Sequence, residues 1–361
     1  MTETTRKLAS IKQITEIRPI PDADAIECAI VGGGWPVVVK KGEFTVGNLA
    51  LYLEIDSWVP HELAPFLSKG KEPREYNGVK GERLKTVKLR GQVSQGLLLP
   101  ISLKLNLDFS YHVTAFERGL QEGDDLTEFL GVQKWEAPIP ACLAGQVRGN
   151  FPSWIPKTDQ ERCQNLAKEI FQDHVDEGYE ITIKLDGSSC TIYVKDGVVG
   201  VCSRNLDLKE SDTNSFWKAA RDQGILDALI TFYEKTGRNI ALQGELIGEG
   251  IQGNQERVKG QRFFLFDVFD IDAQSHLKPS PRFDLLENEL VPLGADVTHV
   301  PILEHCYGLR QSFANVESLL SFADGPSLNP EVKREGVVFK SCDSDFTFKA
   351  ISNQWLLKTG K

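Results

Sequence analysis

Apolar positions along this chain follow two different rhythms. Through the first 110 residues they come in short runs: "KQITEIRPI", "CAIVGGG", "WPVVVKKGEF", "TVGNLALYLEID", "GERLKTVKLRG" and "QGLLLPIS". Each run is rich in Val, Ile or Leu and is bounded by Gly, Pro, Asp or Asn. Branched side chains pack well on a pleated surface, and the flanking residues favour turns, so the pattern predicts short strands. No helix of convincing length interrupts them. Five or six such strands suit a small β-barrel of the OB type, although an SH3-like barrel would read much the same.

The second half changes character. "KTDQERCQNLAKEIFQDHV" opens with Thr158-x-x-Glu161, a capping-box spacing, and predicts a helix over 159–174. "GYEITIKLDGSSCTIYVKDGVVGVCSRN" reads as successive strands joined by hairpins at Asp186-Gly187 and Asp196-Gly197. "TNSFWKAARDQGILDALITFYEKTG" is helical and closes at Gly237. Further strands follow in "NIALQGELI", "RFFLFDVFDI", "EGVVFKS" and "DFTFKAI". The fold class is therefore α+β: a barrel-like module, then antiparallel strands with interspersed helices. Between the halves, Glu136 to Pro156 carries four prolines and reads as a linker. The expected domains are 1–140 and 150–361.

Composition narrows the classes. The chain has 361 residues, 41% hydrophobic and 25% charged, enough for packed cores. A net charge of −10 excludes a uniformly basic nucleic-acid coat, but not a local basic face. One such stretch runs from Lys69 to Arg90, with eight cations, Lys85, Lys88 and Arg90 among them, against three carboxylates. It fits a surface that tracks phosphates, or simply a solvated hairpin, and it holds a single aromatic, Tyr76. Seven cysteines form no C-x-x-C pair, which predicts free thiols in a reducing cytosol. No apolar run suits a membrane span, and the polar N-terminus lacks a secretion signal, so a cytoplasmic protein is expected.

Lys184 stands out in "EITIKLDGSS". Asp186, two residues on, can share its strand face, and Gly187 lets the backbone approach a ligand closely. A lysine nucleophile must lose its proton. From an ordinary pKa of about 10.4, working near neutral pH asks for a depression of roughly 3 units, or about 4 kcal/mol. A bound cation can supply part of that.

"Lys184-Leu185-Asp186-Gly187" resembles the K-x-D-G motif of the covalent nucleotidyltransferases: DNA ligases, RNA ligases and mRNA capping enzymes. The order of later segments strengthens the match. "Ser203-Arg204-Asn205" is similar to the motif that contacts the nucleotide sugar and the RNA 3′-OH end. "Gly244-Glu245-Leu246" resembles the motif whose glutamate binds the ribose. "Phe263-Phe264-Leu265-Phe266-Asp267" resembles the aromatic motif that stacks on the base, by Phe264 or Phe266, which share a strand face. "Glu335-Gly336-Val337-Val338-Phe339" resembles the motif whose glutamate engages the metal. Lys349 in "Phe346-Thr347-Phe348-Lys349" resembles the lysine that binds the nucleotide phosphate. A second lysine, common two residues before it in RNA ligases, is here Thr347. Lys340 is a poor substitute, because strand parity turns it away from Glu335.

Only 12 residues follow Lys349, too few for the OB domain that trails the core of DNA ligases and capping enzymes. A barrel-like module in front resembles the layout of RNA ligases. The resemblance implies ATP as substrate, Mg²⁺ or Mn²⁺ held by Asp186 and Glu335, and a lysyl-AMP at Lys184. The partner is RNA with 3′-OH and 5′-phosphate ends, contacted by Arg204, Asn205, Lys85, Lys88 and Arg90, and the expected enzyme is a monomer acting in RNA repair. The rival readings are a DNA nick ligase of unusual layout and a non-catalytic RNA-binding protein. One motif points elsewhere: Gly248 to Gly253 fits G-x-G-x-x-G. Too few residues separate it from the next strand for the crossover helix a dinucleotide fold needs.

Overall fold

The computed structural model describes residues 6–101, 119–135 and 146–360. The chain divides into two compact units, residues 1–138 with 356–361, and residues 139–355.

The first unit holds β1 (Ala9–Pro19), β2 (Ile26–Val31), β3 (Trp35–Lys40), β4 (Leu49–Leu53), β5 (Ser57–Pro60), β6 (Arg74–Tyr76), β7 (Val79–Arg83), β8 (Val87–Leu89), β9 (Gln92–Ser94), β10 (Leu97–Pro100) and β11 (Gln133–Lys134). One sheet runs β10-β4-β1-β2-β3, a second β11-β5-β7-β6, and β8 pairs β9 alone. Alternation along β1 and β4 sends Ile11, Leu51 and Leu53 into one core, while Ile14, Ala50 and Tyr52 enter a second with Trp35. The short strands β5, β6 and β9 carry no clear alternation, and the sequence pattern passed over them.

The second unit begins with β12 (Val147–Asn150), β13 (Glu161–Arg162), β14 (Gly178–Lys184), β15 (Ser188–Lys195), β16 (Val198–Ser203) and β17 (Leu206–Leu208). Helices α1 (Ser215–Asp222) and α2 (Ile225–Thr236) follow, then β18 (Ile240–Gly248), β19 (Gln261–Asp270), β20 (Ser275–His276), α3 (Pro279–Leu285), β21 (Thr298–His299), β22 (Ile302–Tyr307), α4 (Val316–Ala323), β23 (Gly336–Ser341) and β24 (Thr347–Ile351). The larger sheet is ordered β12-β17-β16-β15-β18-β19-β20, with β21 parallel to β19; the smaller is β13-β24-β23-β14-β22. Asn214 caps α1 by accepting from the amides of Phe216 and Trp217. Gly224 and Gly237, both left-handed, separate and close the two helices. Their apolar stripe, Trp217, Ala220, Leu229 and Phe232, packs on Ile192, Leu242, Phe263 and Leu265 of the larger sheet. Each large side chain so buried contributes about 1.5–3 kcal/mol. Tyr179, Ile181, Val337, Phe339 and Phe348 form a separate core under the smaller sheet with Leu319 of α4.

Three sequence expectations are corrected. The stretch 159–174 is not one helix: Glu161–Arg162 pairs in parallel with β24, and only a short turn centred on Glu169–Asp173 is helical. Glu161 accepts from the Arg162 amide and from Asn165 instead of closing a capping box. Strand pairing to Phe348 and Lys349 outweighs local helix preference. Asp186-Gly187 is not a hairpin, because β14 and β15 belong to different sheets; Asp196-Gly197 is one, joining β15 to β16 with φ of 52° and 77°. Finally, the linker reading of 136–156 lies partly outside the described residues, and its described tail is structured: β12 pairs β17, and Ile155 is buried beside Tyr193.

Candidate active site

The strand β14 crosses the smaller sheet and delivers Lys184 at its end. Register aligns Lys184 with Gly336, Thr182 with Val338 and Glu180 with Lys340; Val338 in turn faces Lys349. Directly paired residues share a sheet face. Lys184, Thr182, Glu180, Lys340 and Lys349 therefore occupy the face opposite the Phe339–Phe348 core. After Lys184 the chain crosses at once to the larger sheet. Gly187 makes that crossing possible: a Cβ there would lie 2.5 Å from the Leu246 carbonyl oxygen and from Ile247. Its amide donates to Glu245 Oε1 at 3.0 Å. Ile183 and Leu185, which flank Lys184, pack against Ile247, Phe264 and Val300, so the two sheets meet beside the amine.

Three carboxylates converge there. Lys184 Nζ donates to Glu335 Oε2 at 2.8 Å. Glu335 lies just ahead of β23, its carbonyl held by the Ser352 amide at 2.8 Å. Burial alone favours the neutral amine, but Glu335, Glu245 and Asp186 together outweigh it and raise the Lys184 pKa above its ordinary value. The depression that nucleophilic attack requires is thus not built into these side chains. Burial pushes the Glu245 carboxyl up to about 7, against the pull of Lys184 and with Glu335 adding to the rise.

The aromatic pair is split by environment. Phe264 is buried in the cluster beside Lys184, and Phe266, at a bulge of β19 opposite Gln243 and Gly244, packs on its edge. Arg204 and Asn205 lie in the turn between β16 and β17, at the sheet end where β15 begins, since Ser203 faces Cys190. Arg204 is exposed and paired with both oxygens of Asp159 at 3.0 and 2.9 Å; Asp159 is 45 residues away in sequence, and no motif marked it.

Lys340 requires a correction. Parity counted from Glu335 turned it away from the site, but Glu335 lies at a bend outside the strand, where parity does not hold. Lys340 shares the face of Lys184, yet it is committed elsewhere: it pairs with Asp267 at 2.7 Å and donates to the Phe266 carbonyl. Asp267 lies 3.5 Å from Arg282, which is itself paired with Glu180. Burial opposes the charge on Asp267, but Lys340, His276 and Arg282 hold its carboxyl below the usual range. This buried network ties β14 and β23 to β19 and α3. The sequence held no periodic signal for it, since Arg282 sits on a short helix far along the chain.

In the first unit, Lys85, Lys88 and Arg90 are exposed, the last two on the β8–β9 hairpin. Other cations of the basic stretch are neutralised: Arg74 pairs with Glu82, Lys80 with Glu72 and Arg83 with Asp56. Tyr76, alone among aromatics in that stretch, gains Trp58 at 5.4 Å and Trp135 at 6.5 Å from elsewhere in the chain.

All six described cysteines are free thiols; Cys142 lies outside the described residues. Among the described residues no helix is long and apolar enough to cross a membrane, and no three His, Cys, Asp or Glu side chains form a metal cage. The carboxylates of Asp186 and Glu335 are nonetheless hard oxygen donors. These suit Mg²⁺ or Mn²⁺, which bind through one or two carboxylates with water and substrate phosphates.

Family models agree with this division. An OB-fold domain model matches residues 8–101, which decides between the two barrel types, and an RNA ligase model matches residues 177–351. No curated protein matches the chain. Solved structures do. An apo variant of the RNA ligase of Naegleria gruberi is 47% identical, with 97% of each chain covered and a TM-score of 0.84. A lysine-to-alanine variant of that ligase with ATP and Mn is 47% identical over 97% of this chain and 98% of that one, TM-score 0.84. The same ligase with PPi is 48% identical over the same shares, TM-score 0.83. With an OB-fold domain ahead of a two-sheet core that gathers three carboxylates around Lys184, the chain belongs to the RNA ligase family.

Proposed function

We propose that the protein is an ATP-dependent RNA ligase that joins a 3′-OH end to a 5′-phosphate end in RNA repair. The observation that carries the reading is the Lys184 amine, 2.8 Å from Glu335 and in the field of Glu245 and Asp186 at the meeting of the two sheets. The Naegleria ligase has been solved with ATP and Mn and with AMP and Mn, which supports ATP and a divalent cation here.

Three displacements make up the reaction. The Lys184 nitrogen attacks the α-phosphorus of ATP; a P–N bond forms, the α–β P–O bond breaks, pyrophosphate leaves and the amine loses its proton to solvent. An oxygen of the RNA 5′-phosphate then attacks the lysyl-AMP phosphorus and the P–N bond breaks. Last, the 3′-OH attacks the RNA phosphorus: a new P–O bond forms, the bond from that phosphorus to the bridging oxygen of AMP breaks, AMP leaves and the hydroxyl proton goes to solvent. Positioning and charge neutralisation dominate such steps. Asp186 and Glu335 would hold Mg²⁺ or Mn²⁺, whose charge would offset the carboxylates that keep Lys184 protonated. Glu245 would bind the ribose, Phe264 or Phe266 the adenine face, and Lys349 the α-phosphate. Gly187 would let the backbone approach the nucleotide. Arg204 and Asn205 would meet the RNA end, with Lys85, Lys88 and Arg90 of the OB-fold domain tracking its backbone.

Incubation with [α-³²P]ATP and a divalent metal, followed by a denaturing gel, tests the first step. Labelled protein is expected from the wild type and none from Lys184→Ala; label persisting in the variant refutes the nucleophile. Nicked substrates with RNA or DNA 3′-OH strands test the partner, and preferential sealing of DNA would overturn it.

A further inference from the structure

The G-x-G-x-x-G run builds no dinucleotide site, but its loop has a definite shape. β18, which carries Glu245, ends at Gly248, and the chain returns as β19 at Gln261. Between them Gln252, Asn254 and Arg257 take φ of 43°, 44° and 54°. Few non-glycine residues enter this left-handed region, and they persist there when surrounding contacts hold them. The Asn254 side chain accepts from the Val258 amide at 3.1 Å and donates to the Val258 carbonyl at 3.0 Å. Val258 packs on the apolar cluster beside Lys184.

On its outer side this loop grips the segment that leads to Glu335. The Glu256 carboxylate accepts from the Ser327 hydroxyl and from the Asn329 amide at 2.7 Å. The Asn329 side chain donates to the Gln255 carbonyl at 3.1 Å, and Arg257 pairs with Glu331 at 2.5 Å. The gripped segment is a narrow hairpin. The Ser327 amide donates to the Val332 carbonyl and the Arg334 amide to the Gly325 carbonyl, each at 3.0 Å. The Arg334 guanidinium is spent on the carbonyls of Phe322 and Ala323. The next residue is Glu335. Glu256 therefore joins a loop of the larger sheet, continuous with Glu245, to a loop of the smaller sheet, continuous with Glu335, and Lys184 lies between those two carboxylates.

We infer that Glu256 is a positioning residue for lysine adenylylation: by clamping Ser327 and Asn329 it fixes where Glu335 stands relative to Lys184. Its hydrogen bonds go to the hairpin, and it acts through Glu335. The inference rests on Lys184 being the nucleophile.

Single-turnover labelling of the full-length protein with [α-³²P]ATP tests it. In Glu256→Ala the first-order labelling constant is expected to fall about tenfold, the scale of a small misplacement of a catalytic group, while the ATP concentration giving half the maximal rate stays within about twofold. Glu256→Gln keeps an oxygen for the Asn329 amide and an NH₂ group for the Ser327 oxygen, and is expected to stay within about twofold of wild type. Glu335→Gln is expected to lose less in the Glu256→Ala background than alone, because the two act as one unit. Amide exchange in 325–335 is expected to quicken in Glu256→Ala without nucleotide. Should that variant not fold, Ser327→Ala carries the same comparison with Glu335→Gln. A wild-type labelling constant in folded Glu256→Ala, an equal loss in Glu256→Gln, or strict additivity with Glu335→Gln overturns the role. Label persisting in Lys184→Ala refutes the nucleophile instead; no label there with full rate in Glu256→Ala removes only the clamp.

Discussion

Two lysines on one sheet face show how much a residue's setting decides. Lys184 and Lys340 lie on neighbouring strands, and each touches a carboxylate, at 2.8 Å for Glu335 and 2.7 Å for Asp267. Lys184 sits at the rim, its side chain 26% exposed, among three carboxylates that raise its pKa. Lys340 is 5% exposed; burial, with Arg282 nearby, lowers its pKa despite Asp267. The rim holds excess negative charge, which a bound cation would offset. The interior holds two cations and two carboxylates in balance, which suits a brace between sheets. Chemistry belongs where charge is left uncompensated and a ligand can complete it.

The comparison can be broken at either end. Glu335→Ala should reduce self-adenylylation by at least about 100-fold, measured as label per mole of protein, with the urea midpoint little changed; a large shift in the midpoint would make the rim structural. Asp267→Asn should cost about 3–5 kcal/mol, because Lys340 and Arg282 lose their shared counter-charge in the interior; urea unfolding measures it. A smaller loss would mean that the brace is not a closed network.

The two Asp-Gly turns sharpen the contrast. Gly187→Ala places a Cβ 2.5 Å from Leu246 O, so the backbone must move and labelling should fall about tenfold. Gly197→Ala, at φ 77° in a surface hairpin, should cost about 1 kcal/mol of stability and leave labelling intact. Equal effects on labelling would show that Gly187 serves only as a turn.

Glu245 gives a pH signature. Its folded pKa of about 7 lies above the ordinary 4.5, so the native state keeps a proton that the unfolded chain releases. Its contribution to stability is therefore present below pH 4.5 and is lost as pH rises through about 7. Without nucleotide or metal, Glu245→Gln should melt a few degrees above wild type near pH 8, with the gap closing towards pH 4. A gap independent of pH would place the carboxylate in a more solvated setting. The smallest effect concerns the hairpin of the OB-fold domain: Lys88→Glu with Arg90→Glu should weaken RNA sealing severalfold and flatten its salt dependence, with labelling by ATP unchanged.

The order of motifs shared with the nucleotidyltransferases pointed to Glu245, Glu335 and Lys349, while periodicity and turn residues marked most strands of both units, one helical stretch that the structure splits at Gly224, and Lys184. These signals are local: alternation, a capping glycine, a charged residue in an apolar strand. The sequence could not show that Asp186-Gly187 crosses between sheets while Asp196-Gly197 turns within one, because both have the same local chemistry and only the position of β18 against Gly187 separates them. Nor could it show that Arg162 would pair with β24, that Arg282 would pair with Glu180, or that Glu256 would reach Ser327. Those contacts join residues 187, 102 and 71 positions apart. A pairing over such a span depends on how two sheets pack, and packing is set by the whole set of buried side chains, which leaves no periodic trace near either partner.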